Sequence, residues 1–151
     1  MPQSLSKLYI HIVFHTKLNK FKIGNDVKAS LYAYMGAVIN DNGSIPIIIN
    51  GTNNHVHILC VMSKTITLAK LVEEIKRHSS RWIKSRGRQY KGFAWQSGYA
   101  AFSVSSSLRG KTWEYIRNQE IHHQKKTFRE ELVMFLNEYG VDYNEKYLWD
   151  G

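Results

Sequence analysis

Strand-like and helix-like periodicities alternate along this chain in an order that few folds can accept. Residues 8–15 (LYIHIVFH) are dense in β-branched and aromatic side chains and predict a strand. Leu31, Met35 and Val38 then recur at helical spacing, which predicts a helix capped by Asn25 and running to Asp41, where Asn42-Gly43 ends it. Residues 45–50 and 55–62 predict two further strands around a turn at 51–54. Leu68, Leu71, Val72, Ile75 and Trp82 mark an amphipathic helix over 67–85. A loop follows over 87–98, with a short strand expected at 93–96, and 100–105 predicts the next strand. Helices are expected over 111–125 and from a capping box at Thr127 and Glu130 to Gly140, with an aromatic tail over 141–151 packing down. Strand, helix, strand, strand, helix, strand is the split βαβ order. It predicts an α+β, ferredoxin-like domain with an antiparallel sheet and extra C-terminal helices. That fold hosts many activities, so function must be read from side chains.

The length of 151 residues suits one domain over 1–151, and 43% hydrophobic residues can build a core. No repeat, low-complexity tract or linker interrupts the chain. Cys60 is the only cysteine, which excludes an internal disulfide and a multi-cysteine zinc site. No apolar run is long enough to span a membrane, and residues 1–7 lack a signal-peptide pattern, so a cytoplasmic protein is expected. The formal net charge of +9 favours a polyanionic partner, nucleic acid before an anionic membrane surface.

Three groups of residues carry candidate chemistry. In Asn54-His55-Val56-His57-Ile58-Leu59, strand geometry puts His55 and His57 on one face, with Val56, Ile58, Cys60 and Met62 on the other. Two such imidazoles can chelate a divalent metal, or they can be a hydrogen-bonded pair on a surface strand. Tyr115 and Gln119 lie four apart on a helix and aim at one spot. A phenolate can attack phosphorus and an amide oxygen can ligate a metal, whereas the plainer reading of a helical tyrosine is packing. Lys76, Arg77, Arg81, Lys84, Arg86, Arg88 and Lys91 form a basic stretch interleaved with Trp82, Tyr90, Phe93, Trp95 and Tyr99. Cations there could hold phosphates while bases stack on rings, or the stretch is a solvated helix face with Trp82 in the core.

Taken in order, Tyr9-Ile10-His11-Ile12-Val13-Phe14, the His55 and His57 segment, residues 93–99 (FAWQSGY), 101–105 (AFSVS), Tyr115-Ile116-Arg117-Asn118-Gln119-Glu120, His122-His123 and Tyr147-Leu148-Trp149 resemble the insertion-sequence-200-like transposases, which are HUH endonucleases. The resemblance spans nearly the whole chain. It implies that His55 and His57 are metal ligands, Gln119 a third ligand and Tyr115 the single nucleophile. It also implies magnesium or manganese, single-stranded DNA folded as hairpins, and a homodimer whose active site can be shared between subunits. Ligand type alone leaves zinc open as well. His15 and Ile121 depart from the pattern, where a smaller and an acidic residue are expected. Alternatives are a domesticated REP-associated tyrosine transposase and a non-catalytic nucleic-acid-binding module on the same sheet. A two-histidine phosphoesterase lacks its His-x-Thr/Ser motifs here. A histidine-triad hydrolase would need a third alternating histidine where the chain has Leu59.

Overall fold

The computed structural model describes residues 2–149; Met1, Asp150 and Gly151 lie outside the described residues. Four strands form one antiparallel sheet: β1 (Tyr9–His15), β2 (Ile45–Gly51), β3 (His55–Val61) and β4 (Ala100–Val104), in the order β2-β3-β1-β4. The crossovers are helical, α1 (Asn25–Asp41) and α2 (Leu68–Lys84). This is the α+β, ferredoxin-like arrangement that the order of periodicities predicts.

Each sheet face has its own core. Ile12 and Phe14 of β1 and Val56, Ile58 and Cys60 of β3 face α1 and α2, where Leu31, Met35, Leu71, Val72 and Ile75 are buried. The opposite face carries Tyr9, His11, Val13 and His15, with His55, His57 and Leu59 beside them. Helices α3 (Arg109–Arg117), α4 (Gln119–His123) and α5 (Phe128–Glu138) follow the last strand. Phe128, Leu132, Phe135 and Leu136 of α5 close a second cluster on Val13 and Phe102, while Ile116 of α3 packs on Tyr9, Leu59 and Val104.

Several boundaries differ from expectation. Gly24, not Asn25, is the N-cap of α1, with an extended backbone and no side-chain capping bond. Thr67 does cap α2, accepting from the Lys70 amide. The stretch at 93–96 makes only a bridge from Trp95 to Thr16. The single helix expected over 111–125 is two helices broken at Asn118, because the side-chain amide of Asn50 donates to the Ile116 and Arg117 carbonyls, both at 3.0 Å. The capping box of Thr127 and Glu130 is present at the start of α5. Gly140, at φ 66°, ends that helix in the left-handed region, and the Val141 amide reaches back to the Leu136 carbonyl at 2.8 Å. Of the aromatic tail, Leu148 and Trp149 pack against the α5 cluster through a short helix α6 (Glu145–Leu148), while Tyr143 and Tyr147 stay exposed.

Candidate active site

The turn before β3 sets the position of His55. Gly51 pairs with Val56, and a Cβ at Gly51 would run into the His55 carbonyl, so only glycine lets the chain double back so tightly. His55 and His57 then project from the same face and are fully buried under α4 and α5. Their rings stand 5.3 Å apart.

Each imidazole is oriented from both sides. His55 Nδ1 lies 2.9 Å from Asn54 Oδ1 and 2.9 Å from Thr52 Oγ1, and its Nε2 lies 3.1 Å from Gln119 Oε1. His57 Nδ1 is 2.8 Å from His11 Nε2, and its Nε2 is 2.7 Å from Glu131 Oε1. Rings held this way keep one nitrogen for a partner behind and present the other to the site.

Tyr115 and Gln119 converge on that same site although the helix is broken between them. The Tyr115 hydroxyl donates to Glu131 Oε2, and Gln119 Nε2 donates to the same oxygen at 3.2 Å. The Tyr115 ring stacks on His122 at 4.4 Å and lies 6.0 Å from the ring of His57. Burial, then the Glu131 charge and its hydrogen bond, push the phenol well above its ordinary value. Burial works to raise the Glu131 pKa as well. The His123 imidazole at 3.2 Å, hydrogen bonds from His57 and Tyr115, and the charge of His57 outweigh it and hold the carboxyl far below the usual range. The site therefore stores a buried carboxylate beside a neutral phenol.

The donor set suits a divalent cation. His55, His57, His123 and Glu131 each offer a ligand atom, all within 4.8 Å of one another. With its Nδ1 proton on Asn54 Oδ1, His55 Nε2 would face the amide oxygen of Gln119 as lone pair against lone pair, a clash that a cation relieves. Clefts flank the set: about 210 Å³ beside Tyr115, Leu108 and Tyr139, and about 460 Å³ beside His123, Lys28 and Thr52.

The family described as Transposase IS200 like matches residues 4–119. The chain belongs to the IS200-like transposase family. Two solved structures share the fold. One is a candidate transposase from Deinococcus radiodurans R1, 22% identical, covering 79% of this chain and 98% of its own at a TM-score of 0.61. The other is a REP-associated tyrosine transposase bound to a REP hairpin, 12% identical, covering 95% and 90% at a TM-score of 0.61. Among curated protein sequences none matches the chain. Among the described residues no helix is long and apolar enough to cross a membrane.

In this IS200-like transposase the basic stretch lies away from the histidines, since α2 packs on the other side of the sheet. Arg81, Lys84 and Arg88 are exposed; Arg77 is bound to Glu74 at 2.7 Å, and Arg86 lies 4.5 Å over the Trp82 ring. Lys76 points inward to the Gln96 carbonyl, at 2.8 Å, and to that of Gly98, and burial brings its pKa down to about 8. A cleft bounded by Lys76, Arg77, Lys84 and Trp95 shares Gln96 and Tyr99 with one over Phe102 and Leu132, so a continuous surface rounds the β4 edge toward α5.

Sequence reading gave no role to Glu131, His123 or His11. Glu131 left one trace: it interrupts an apolar stripe of Phe128, Leu132 and Phe135 on α5, and a carboxylate there needs partners. The departure at His15 proves to be a buried ring against Phe128, with its Nδ1 at 2.6 Å from the Thr16 carbonyl. Ile121 is exposed.

Proposed function

We propose that this transposase cleaves and rejoins single-stranded DNA at hairpin-bearing ends through a 5′-phosphotyrosine intermediate. One observation carries the reading: the hydroxyl of Tyr115, the ring nitrogens of His55 and His57 and the amide of Gln119 converge on one buried point of a single chain.

His55, His57 and Gln119 would hold magnesium or manganese, whose chemistry is to polarise a phosphate oxygen and stabilise charge developing at phosphorus. Tyr115 attacks phosphorus; its bond to the 3′-oxygen of the preceding nucleotide breaks, and the phenol proton ends on that oxygen. The products are a 5′-phosphotyrosine and a free 3′-hydroxyl. A second 3′-hydroxyl reverses the exchange and joins new strands, so no nucleotide cofactor is consumed. Arg81, Lys84 and Arg88, with Arg77 and Arg86, are proposed to hold phosphates of the bound strand, and Lys76 to brace the loop beneath it. A homodimer is also proposed. Exposed Ile45 and Ile47 on the β2 edge, beside Trp113, supply apolar surface for such a contact. A second reading, a REP-associated type of enzyme acting on dispersed hairpins, is favoured by the 95% of the chain that the hairpin-bound fold covers.

Labelled single strands from both flanks of the gene test the proposal. Cleavage with magnesium or manganese and none in chelator is expected; equal cleavage in chelator sinks the metal role.

A further inference from the structure

Glu131 lies beyond the residues that match the family, yet its carboxylate is the hub of the site. Oε1 is 2.7 Å from His57 Nε2 and 3.6 Å from His55 Nε2. Oε2 accepts from Tyr115 and Gln119, and His123 Nε2 lies 3.2 Å from it. We propose that Glu131 is itself a ligand of the divalent cation, the anionic member of a set completed by His55 and His57 and supplied by α5 of the same chain. The inference rests on reading His55 and His57 as metal ligands.

Geometry supports it first. Ligand bonds of ~2.1 Å set neighbouring donors roughly 3.0 Å apart in an octahedron and about 3.4 Å apart in a tetrahedron. The separations of 2.7 Å and 3.6 Å from Glu131 Oε1 to the two imidazoles, and 3.1 Å from His55 Nε2 to Gln119 Oε1, fall around those edges. These three separations match donors that share one ion.

Charge supports it independently. Among the described residues Glu131 has no lysine or arginine within ion-pair distance; its ionisable partners of basic type are His55, His57 and His123. A carboxylate with 1% exposure and no permanent cation relies on its histidines for compensating charge, and a divalent ion bound at Oε1 would take over that role once the histidines bind as neutral rings. The two oxygens divide the work: Oε1 faces the histidines, while Oε2 keeps hold of Tyr115 and Gln119. A role confined to orienting His57 would use Oε1 alone and would cost only about 10- to 100-fold in metal affinity when the charge is removed.

The test measures Mn²⁺ binding without DNA, from the electron paramagnetic resonance signal of the free ion. Glu131→Gln keeps shape and removes charge. It should weaken binding by more than about a hundredfold while circular dichroism shows a folded chain, beyond the roughly 10- to 100-fold that loss of an outer partner of a ligand costs. Any smaller loss, unchanged binding or tighter binding by the folded variant overturns the proposal. His57→Ala in parallel tests the histidine reading on its own: if it binds Mn²⁺ as well as the parent, that reading fails, whatever Glu131 does. Should Glu131→Gln not fold, unsubstituted protein labelled with ¹³C at the glutamate carboxyl carbons decides the matter. Saturating Zn²⁺ should shift one buried carboxyl resonance, and a spectrum with no shifted resonance overturns the proposal.

Discussion

The hydroxyl of Tyr115 on α3 donates to the carboxylate of Glu131 on α5, and the same carboxylate receives His57 from β3. Three elements far apart in sequence are thereby joined at one ionised group. The helix that carries the proposed nucleophile is held against the strand that carries the histidines by a residue outside both motifs.

Tyr115→Phe should separate chemistry from fold. The ring keeps its stack on His122 and its edge on Phe135, and only the bond to Glu131 is lost. A hydrogen bond to a charged group contributes roughly 1–3 kcal/mol, so the variant should melt a few degrees lower and remain folded. Its covalent DNA adduct on denaturing gels should vanish. An adduct that persists would place the nucleophile elsewhere.

The basic face makes a separate prediction. Arg81 and Lys84 are exposed on α2, across the sheet from Tyr115, so replacing both with alanine should spare cleavage chemistry and weaken binding. For single strands each phosphate contact contributes a slope of about −0.7 in log affinity against log salt, so two lost contacts should flatten it by about 1.4. Fluorescence anisotropy across a salt series measures this, and an unchanged slope would move the DNA to another face.

Acidification should destabilise the metal-free protein. Burial holds His11, His15 and His55 below the ordinary histidine value of 6.5. Below that value the unfolded chain binds protons that the folded chain refuses. Stability is thus fully present above about pH 7 and is lost as pH falls through 6.5 toward the folded-state values. Each such histidine contributes a slope of up to about 1.4 kcal/mol per pH unit in that window. His15→Asn should make the slope shallower by up to one proton in urea titrations at pH 5 to 7. A slope identical to the parent's would show that His15 is protonated in the folded state.

How far these residues could be read from sequence depended on whether the signal was local. The alternation of β3 placed His55 and His57 on one face because strand geometry is local, and helical spacing paired Tyr115 with Gln119. The break at Asn118 was invisible because its cause, Asn50, sits on another element. Glu131 showed only as a break in an apolar stripe for the same reason: its partners come from β3, α3 and α4. The basic stretch was legible as charge, but sequence does not say which side of a sheet a helix covers. Lys76 thus read like its neighbours, although it turns inward to loop carbonyls.

The last prediction concerns which subunit supplies the tyrosine. The family resemblance implies a homodimer whose site can be shared, with Tyr115 reaching the histidines of a second copy. Within this chain Tyr115 already meets its own His57 through Glu131, at a ring separation of 6.0 Å. For sharing, that buried bond would have to break and α3 would have to leave its packing on Tyr9, Leu59 and Val104. The expected site is therefore complete within one chain. Tyr115→Phe and His57→Ala, each inactive, can be mixed and allowed to exchange subunits, and heterodimers verified by two affinity tags. In a shared arrangement one of the two sites in each heterodimer would pair an intact Tyr115 with an intact histidine pair, and cleavage would return. In a self-contained arrangement every site carries one lesion, and cleavage should stay absent. Returning cleavage would show that α3 swings across between subunits, and that the bond from Tyr115 to Glu131 belongs to a resting state.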